Sequence, residues 1–312
     1  MSAPSTLRLG TRGSALALSQ SRWVASRLEE AGSPPVELVT IRTTGDEVLD
    51  RPLSEIGGKG LFTRELDRAL LDGEVDLAVH SLKDLPTEFP DGLTLAAVPE
   101  REDPRDVLLG PEGSDVTLTS LPPGSVVGTG SLRRRALVLA HRPDTSVAEI
   151  RGNLDTRIRK LDRGEYQALI LAAAGLRRLG WVHRISEHLD LGEWIPAPGQ
   201  GALAVVTREE DRGRLPGLSA LDHGASRAAV TAERTLLHRL EAGCRLPVGA
   251  IGLPFGSGLR LRGMVASPDG QGVVRAEATG SLDDPAALGD QVAETLLERG
   301  ADALLDQVRA SS

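Results

Sequence analysis

The chain has 312 residues, 40% of them hydrophobic, and a formal net charge of −8 from 44 acidic and 36 basic side chains. That length predicts two or three domains with packed cores, while the acidic balance and only 2% aromatic residues exclude general nucleic-acid binding, which rests on a positive surface and stacking rings. The longest apolar runs, such as 168–174, are too short to span a bilayer, no secretory signal is visible at the start, and a single cysteine, Cys244, excludes an internal disulfide framework and points to the reducing cytoplasm.

Leu7-Arg8-Leu9 reads as a short strand and Gly10 to Ser14 as a turn. A helix follows with Leu16, Trp23, Val24 and Leu28 on one face, stopped by Gly32-Ser33-Pro34-Pro35. Val36 to Ile41 is a β-branched strand, and the Gly-rich, charged stretch 43–60 has no period and is expected to be a mobile surface loop. Phe62, Leu66, Ala69 and Leu70 mark a helix ending at Asp72-Gly73, and Val75 to His80 is a buried strand running into Ser81-Leu82-Lys83-Asp84. Such alternation predicts βαβ units and a parallel sheet covered on both faces.

The polar stretch Glu100 to Arg105 suits a crossing between domains. Beyond it, Val126-Val127 leads into the turn Gly128-Thr129-Gly130-Ser131, then a helix bearing Leu132, Ala136 and Leu139 that ends before Pro143. Val147 to Ile150 is a strand, Leu154, Ile158 and Leu161 share a helix face, and Ala168 to Leu171 is the next strand. Ile195 to Gly201 reads as a second crossing, after which Ala202 to Val206 returns to the first sheet. Two crossings between similar α/β lobes predict a hinged cleft with ligands at the carboxyl ends of the strands. The expected division is 1–101 plus 200–220 for the first lobe, 106–196 for the second, and 224–312 for a small C-terminal α/β domain. That last part has a helix with Val230, Leu237 and Leu240 on one face, strands alternating at Leu259, Leu261, Gly263 and Val265, and a closing helix with Leu288, Val292 and Leu296.

Cations or hydroxyls recur on four turns expected to join a strand to a helix: Thr11 to Ser14, Gly128 to Arg135, Arg151 to Arg157 and Gly175 to Arg178. Helix N-termini present free N–H groups and partial positive charge, which suits an anion and disfavours arginine by about 0.3–1 kcal/mol. Repeated arginine there points to bidentate binding of carboxylate or phosphate, against the reading of each as a solvated surface charge. Carboxylate is preferred, because no Walker-type Gly-x-x-x-x-Gly-Lys motif occurs. The six histidines show no metal-ligand spacing, so no metal is expected, and no Gly-x-Ser-x-Gly elbow supports a serine hydrolase. Lysine appears only at Lys59, Lys83 and Lys160, and Lys83 adjoins Asp84 at a strand end, a local ion pair or a carboxylate held among cations facing the cleft. Gly243 sits where a C-cap glycine would, and Pro247 and Gly249 stop the helix resuming. Cys244 is then either a small buried hydrophobe or a functional thiol on a short bent loop.

Taken together, Val79-His80-Ser81-Leu82-Lys83-Asp84-Leu85-Pro86, Gly128-Thr129-Gly130-Ser131-Leu132-Arg133-Arg134, Arg151-Gly152-Asn153, Gly199-Gln200-Gly201 and Gly243-Cys244 resemble the porphobilinogen deaminase (hydroxymethylbilane synthase) family, in order and over essentially the whole chain. The resemblance implies an α/β protein of three domains, two lobes like type 2 periplasmic binding proteins plus the C-terminal α/β domain. It implies a cytoplasmic transferase of tetrapyrrole biosynthesis that joins four porphobilinogen molecules head to tail, with loss of ammonia, on a dipyrromethane cofactor held by a thioether to Cys244. By position, Lys83, Ser131, Arg133 and Arg134, with Thr129, would hold cofactor carboxylates. Arg12, Ser14, Arg151 and Arg157, with Arg178 and Gln200, would hold substrate, and Phe62 would cap the site. Asp84 would bind pyrrole N–H groups, assist loss of ammonia and stabilise the azafulvene cation. No nucleic-acid or membrane partner is implied, and a monomer suffices. Three positions depart from the family's usual pattern: Glu55 where lysine is common, which leaves Lys59 alone on that loop, Gly130 for serine, and Leu82 for methionine, a volume-conserving swap expected to be neutral.

Overall fold

Short aliphatic runs, each followed by an amphipathic helix, recur along this chain and build two sheets of one plan. The computed structural model describes residues 5–43, 63–241 and 246–309. The chain runs β1 (Leu7–Thr11), α1 (Ala15–Glu30), β2 (Val36–Thr40), α2 (Arg64–Leu71), β3 (Leu77–Ser81), β4 (Leu93–Ala97), β5 (Asp106–Leu109), β6 (Val126–Gly128), α3 (Leu132–His141), β7 (Ser146–Ala148), α4 (Leu154–Asp162), β8 (Ala168–Ala172), α5 (Ala173–Arg178) and β9 (Glu187–His188). It continues with β10 (Leu203–Arg208), α6 (Leu218–Leu221), α7 (Gly224–Arg239), β11 (Val248–Phe255), β12 (Gly258–Ala266), β13 (Val273–Gly280), α8 (Pro285–Glu298) and α9 (Ala301–Arg309). No described helix is long and apolar enough to cross a membrane. The expected loop at 43–60 falls almost wholly outside the described residues.

Two compact units result, Met1–Glu102 with Ala202–Arg227, and Asp103–Gly201 with Ala228–Ser312. The first holds a sheet in the order β2-β1-β3-β10-β4, over a core that includes Leu7, Leu9, Leu28, Leu77, Val79 and Val205. The second holds a sheet in the matching order β7-β6-β8-β5-β9 and a three-stranded antiparallel sheet, β11-β12-β13. Leu259, Leu261 and Val265 of β12 pack with Leu236, Val292 and Leu296 of the covering helices α7 and α8. Met264 and Ala266 instead join the cluster of Leu137 and Trp194, so the C-terminal region and the second lobe share apolar core.

The expectation of a parallel sheet holds for β1, β2 and β3 and for β6, β7 and β8, and is corrected at one strand in each sheet. β10 runs antiparallel between β3 and β4, and β5 antiparallel between β8 and β9. In each sheet the antiparallel strand is the one laid down as the chain enters from the other unit. It arrives without a βαβ crossover, the connection that imposes parallel pairing.

Two local expectations also change. Trp23 is exposed beside Arg27, while Val24 and Leu28 are buried as expected and α1 buries Gln20, Ser21 and Ala25 beside them. Leu132 is exposed while Arg133 and Arg134 are buried, rotating the predicted face of α3 toward charged residues that find partners inside. Among the described residues at the end of α7, Glu241 is left-handed, at φ 49°; Gly243, the expected C-cap, lies outside the described residues. α7 approaches β11 closely at Gly252, where an added Cβ would lie 3.0 Å from the Ala229 Cα.

Candidate functional site

Parallel pairing decides which loops share an edge. In the first unit β1 and β3 pair in parallel, Leu9 opposite Leu77 and Gly10 opposite Ala78. The residues beyond their carboxyl ends, Arg12 and Ser14 after β1 and Lys83 and Asp84 after β3, therefore come to one edge of the sheet, the edge at which α/β sheets take ligands. Ser14 is the N-cap of α1, its Oγ accepting the Ala17 N–H at 3.3 Å. Gln20, six residues further along, donates from Nε2 to the Ser81 Oγ at 3.0 Å and ties the helix to the end of β3.

Leu82 to Asp84 form a single 3-10 turn. Leu82 is buried beneath it, and its N–H donates to the Ala202 carbonyl at 3.0 Å, so the turn is fixed from below. Lys83 is half-buried and Asp84 exposed. Immediately before this turn, His80 is buried with Nε2 lacking a hydrogen-bond partner among the described residues. Burial, reinforced by the positive charge of Arg12, pushes its pKa down to about 4, so the ring is neutral at pH 7.

In the second unit β6, β7 and β8 are parallel, with Gly128 opposite both Ala148 and Leu169. Thr129 and Ser131 follow β6, Arg151 follows β7 and Arg178 follows β8, so these too belong to one sheet edge. Thr129 is buried, its Oγ1 accepting the Ser131 N–H at 3.2 Å. Ser131 caps α3 in turn, accepting the Arg134 N–H at 3.4 Å. Arg151 donates from Nε to the Glu149 Oε1 at 2.9 Å. Arg157, just past the first turn of α4, donates from Nε to the Gly152 carbonyl at 2.7 Å. Arg178 donates to the Gly201 carbonyl at 2.7 Å. It stands in the last turn of α5, which corrects the expected placing of Arg178 at a helix start; a cation is electrostatically favoured at that end.

Arg133 and Arg134 lie in the first turn of α3 and are nonetheless buried. Their shared partner is Asp106, fully buried at the head of β5. Arg133 donates from Nη1 to Asp106 Oδ2 at 2.7 Å and to the Ile195 carbonyl at 2.9 Å. Arg134 donates from Nε to Asp106 Oδ1 at 3.0 Å, from Nη1 to the Ile170 carbonyl at 3.1 Å and from Nη2 to Gln200 Oε1 at 3.2 Å. Gln200, itself fully buried, donates from Nε2 to Asp106 Oδ1 at 2.9 Å and to the Pro104 carbonyl at 2.8 Å. Burial alone would raise the Asp106 pKa, but the charges and hydrogen bonds of the two arginines and Gln200 hold it well below the usual carboxylate range.

Sequence reasoning missed Asp106. Its signal was a lone acid heading an otherwise apolar strand, Asp106-Val107-Leu108-Leu109, where a buried charge demands a partner. Two expected site residues, Cys244 and Phe62, lie outside the described residues.

Residues 7–215 match the family profile described as "Porphobilinogen deaminase, dipyromethane cofactor binding domain", and residues 227–298 match "Porphobilinogen deaminase, C-terminal domain". Among curated proteins, the porphobilinogen deaminase of Desulforudis audaxviator is 51% identical over 306 residues, covering 97% of this chain and 98% of its own. That of Brevibacillus brevis is 49% identical over 303 residues, covering 96% and 97% respectively. Among solved structures, the BvgS periplasmic VFT2 domain of Bordetella pertussis matches at a TM-score of 0.39 and 15% identity, covering 66% of this chain and 82% of that one. The alkanesulfonate-binding protein SsuA of Xanthomonas axonopodis matches at a TM-score of 0.36 and 16% identity, covering 78% of each. Matched by both profiles and alike at about half of all positions to full-length relatives, the chain belongs to the porphobilinogen deaminase family.

Proposed function

We infer that this chain is a transferase that joins porphobilinogen units head to tail with loss of ammonia and, with addition of one water, gives hydroxymethylbilane for tetrapyrrole biosynthesis. The observation that carries the reading is the near-complete coverage of porphobilinogen deaminases at about half identity. Each addition breaks the C–N bond of a substrate aminomethyl group, releases ammonia, forms a C–C bond between pyrroles and sheds a pyrrole α-hydrogen as a proton. Such a reaction needs cations for carboxylates and a carboxylate for N–H groups and developing positive charge.

The family's dipyrromethane carries several carboxylates, and the residues present fit it. Arg133 keeps a buried Nε with no hydrogen-bond partner among the described residues, a donor that a ligand carboxylate would satisfy. When bound, the group supplies the pyrrole end to which the first porphobilinogen is joined. Lys83, Thr129, Ser131, Arg133 and Arg134 hold its carboxylates, and Cys244 anchors it by a thioether. Arg12, Ser14, Arg151, Arg157 and Arg178 hold the acetate and propionate groups of the incoming substrate, and Phe62 caps it. Asp84 is exposed at a strand's carboxyl end and fixed from below through Leu82, a position from which a carboxylate meets pyrrole N–H groups and offsets the positive charge left on the substrate as ammonia departs. The lone cysteine, kept as a thiol for the anchor, favours a cytoplasmic location, and the protein acts as a monomer of three domains.

The test is an intact mass of the purified chain with a peptide map around Cys244. The expected result is a mass increase equal to two porphobilinogen units less two ammonias, on the peptide containing Cys244. A chain that stays unmodified after incubation with porphobilinogen would overturn the reading.

A further inference from the structure

We propose that Asp106 and Gln200 are positioning residues that aim Arg133 and Arg134 at the ligand carboxylates, and that they do so by fastening the two chain crossings to the arginine pair. The proposal rests on the function inferred above and assigns a task to groups that function did not use.

Asp106, Arg134 and Gln200 close a ring in which each member bonds to both others: Arg134 to Asp106 at 3.0 Å, Gln200 to Asp106 at 2.9 Å and Arg134 to Gln200 at 3.2 Å. Two further bonds extend it along the chain, from Gln200 to the Pro104 carbonyl and from Arg133 to the Ile195 carbonyl. Pro104 and Asp106 lie where the chain first enters the second unit, and Ile195 and Gln200 where it prepares to leave. The start of α3 is thereby held against both crossings by hydrogen bonds made in a dry interior, where each is worth more than at the surface. The chemistry is specific. An Asp106 carboxylate takes one nitrogen of Arg133 and the Nε edge of Arg134, which fixes both guanidinium planes and leaves the buried Arg133 Nε without a partner among the described residues. Asp106 is fully buried, with no side-chain surface left for a substrate. It acts through the arginines, and Gln200 acts through Asp106 and Arg134 rather than on substrate directly.

Asp106→Asn in the full chain tests this, because it keeps the shape and removes the charge that holds both guanidiniums. Three readouts are taken: near-ultraviolet circular dichroism, the fraction of chains carrying the adduct on Cys244 after incubation with porphobilinogen, and the melting shift that succinate gives the cofactor-free protein. The expected result is a native spectrum, at least a tenfold fall in the loaded fraction, and a larger succinate shift than the parent's, since the released guanidiniums then take a soluble carboxylate in place of Asp106. A variant that loads like the parent and shows the parent's succinate shift would overturn the proposal, even with a lowered melting temperature, since that pattern is purely structural. Should Asp106→Asn fail to fold, Gln200→Met carries the loading test: several-fold lower loading at a native spectrum supports the positioning role, and parental loading overturns it. A parent chain that never loads would remove the inferred function instead, and the succinate comparison would still decide the positioning.

Discussion

Asp84 and His80 stand within one short segment and carry opposite relations to water. Asp84 is exposed on its 3-10 turn, so Asp84→Asn removes a charge without disturbing a core. We expect that variant to keep the parent's melting temperature while its release of ammonia from porphobilinogen falls by at least about 100-fold, the scale of a lost positioned acid–base or charge-stabilising group. Near-normal release would remove Asp84 from the chemistry. His80 is buried and neutral, with its pKa near 4 against about 6.5 in an unfolded chain. Between those values the unfolded chain binds a proton that the folded one refuses, so stability is full above pH 6.5 and falls as pH drops toward 4. Taken alone, this costs about 2 kcal/mol between pH 7.5 and pH 5. Urea unfolding at the two pH values should show His80→Leu losing about that much less than the parent over the same interval. Equal losses would place the acid sensitivity elsewhere.

At the scale of elements, a buried carboxylate also joins α7 to its surroundings. Glu233 accepts the Gly199 N–H at 2.6 Å and the Gly252 N–H at 2.7 Å, tying the second crossing and β11 to one helix. Glu233→Gln leaves one of those donors facing an amide N–H, and we expect a loss of about 1.5–3 kcal/mol in urea unfolding; an unchanged midpoint would show that the tie contributes nothing. Bonds of this kind mark the limit of what the sequence discloses. The periods of α2, α4 and α8 were legible because their buried residues, such as Leu66 and Leu70, Ile158 and Leu161, or Leu288, Val292 and Leu296, are apolar. α1 and α3 were read only in part for the converse reason: Gln20, Arg133 and Arg134 point inward because partners far along the chain receive them, and hydrophobicity carries no trace of such partners. The local motifs brought Arg12 and Ser14 to the same edge as Lys83 and Asp84, as expected from strand order. What they could not disclose is that Gln200 and Arg133 would be turned into the interior by an acid 94 and 27 residues distant.

For the whole molecule, the decisive feature is that the chain leaves the first unit and later returns to complete it. Each sheet takes one antiparallel strand from the segment that has just crossed over, β5 in the second unit and β10 in the first. A fragment ending at Glu102 therefore lacks the strand that pairs with both β3 and β4. We expect it to unfold in urea without a cooperative transition, whereas the full chain unfolds cooperatively. A sharp transition in the fragment would show that β10 is dispensable. The same strand sets a timetable for biosynthesis. β4 ends at Ala97 and β10 begins at Leu203, so at ordinary translation rates roughly 5–20 s separate them on the ribosome. Throughout that interval β3 and β4 leave the tunnel with open edges, the exposure that favours pairing with a neighbouring nascent chain. The first unit is thus begun first and finished late, and the burden this places on chaperones belongs to the topology, whatever ligand the finished protein holds.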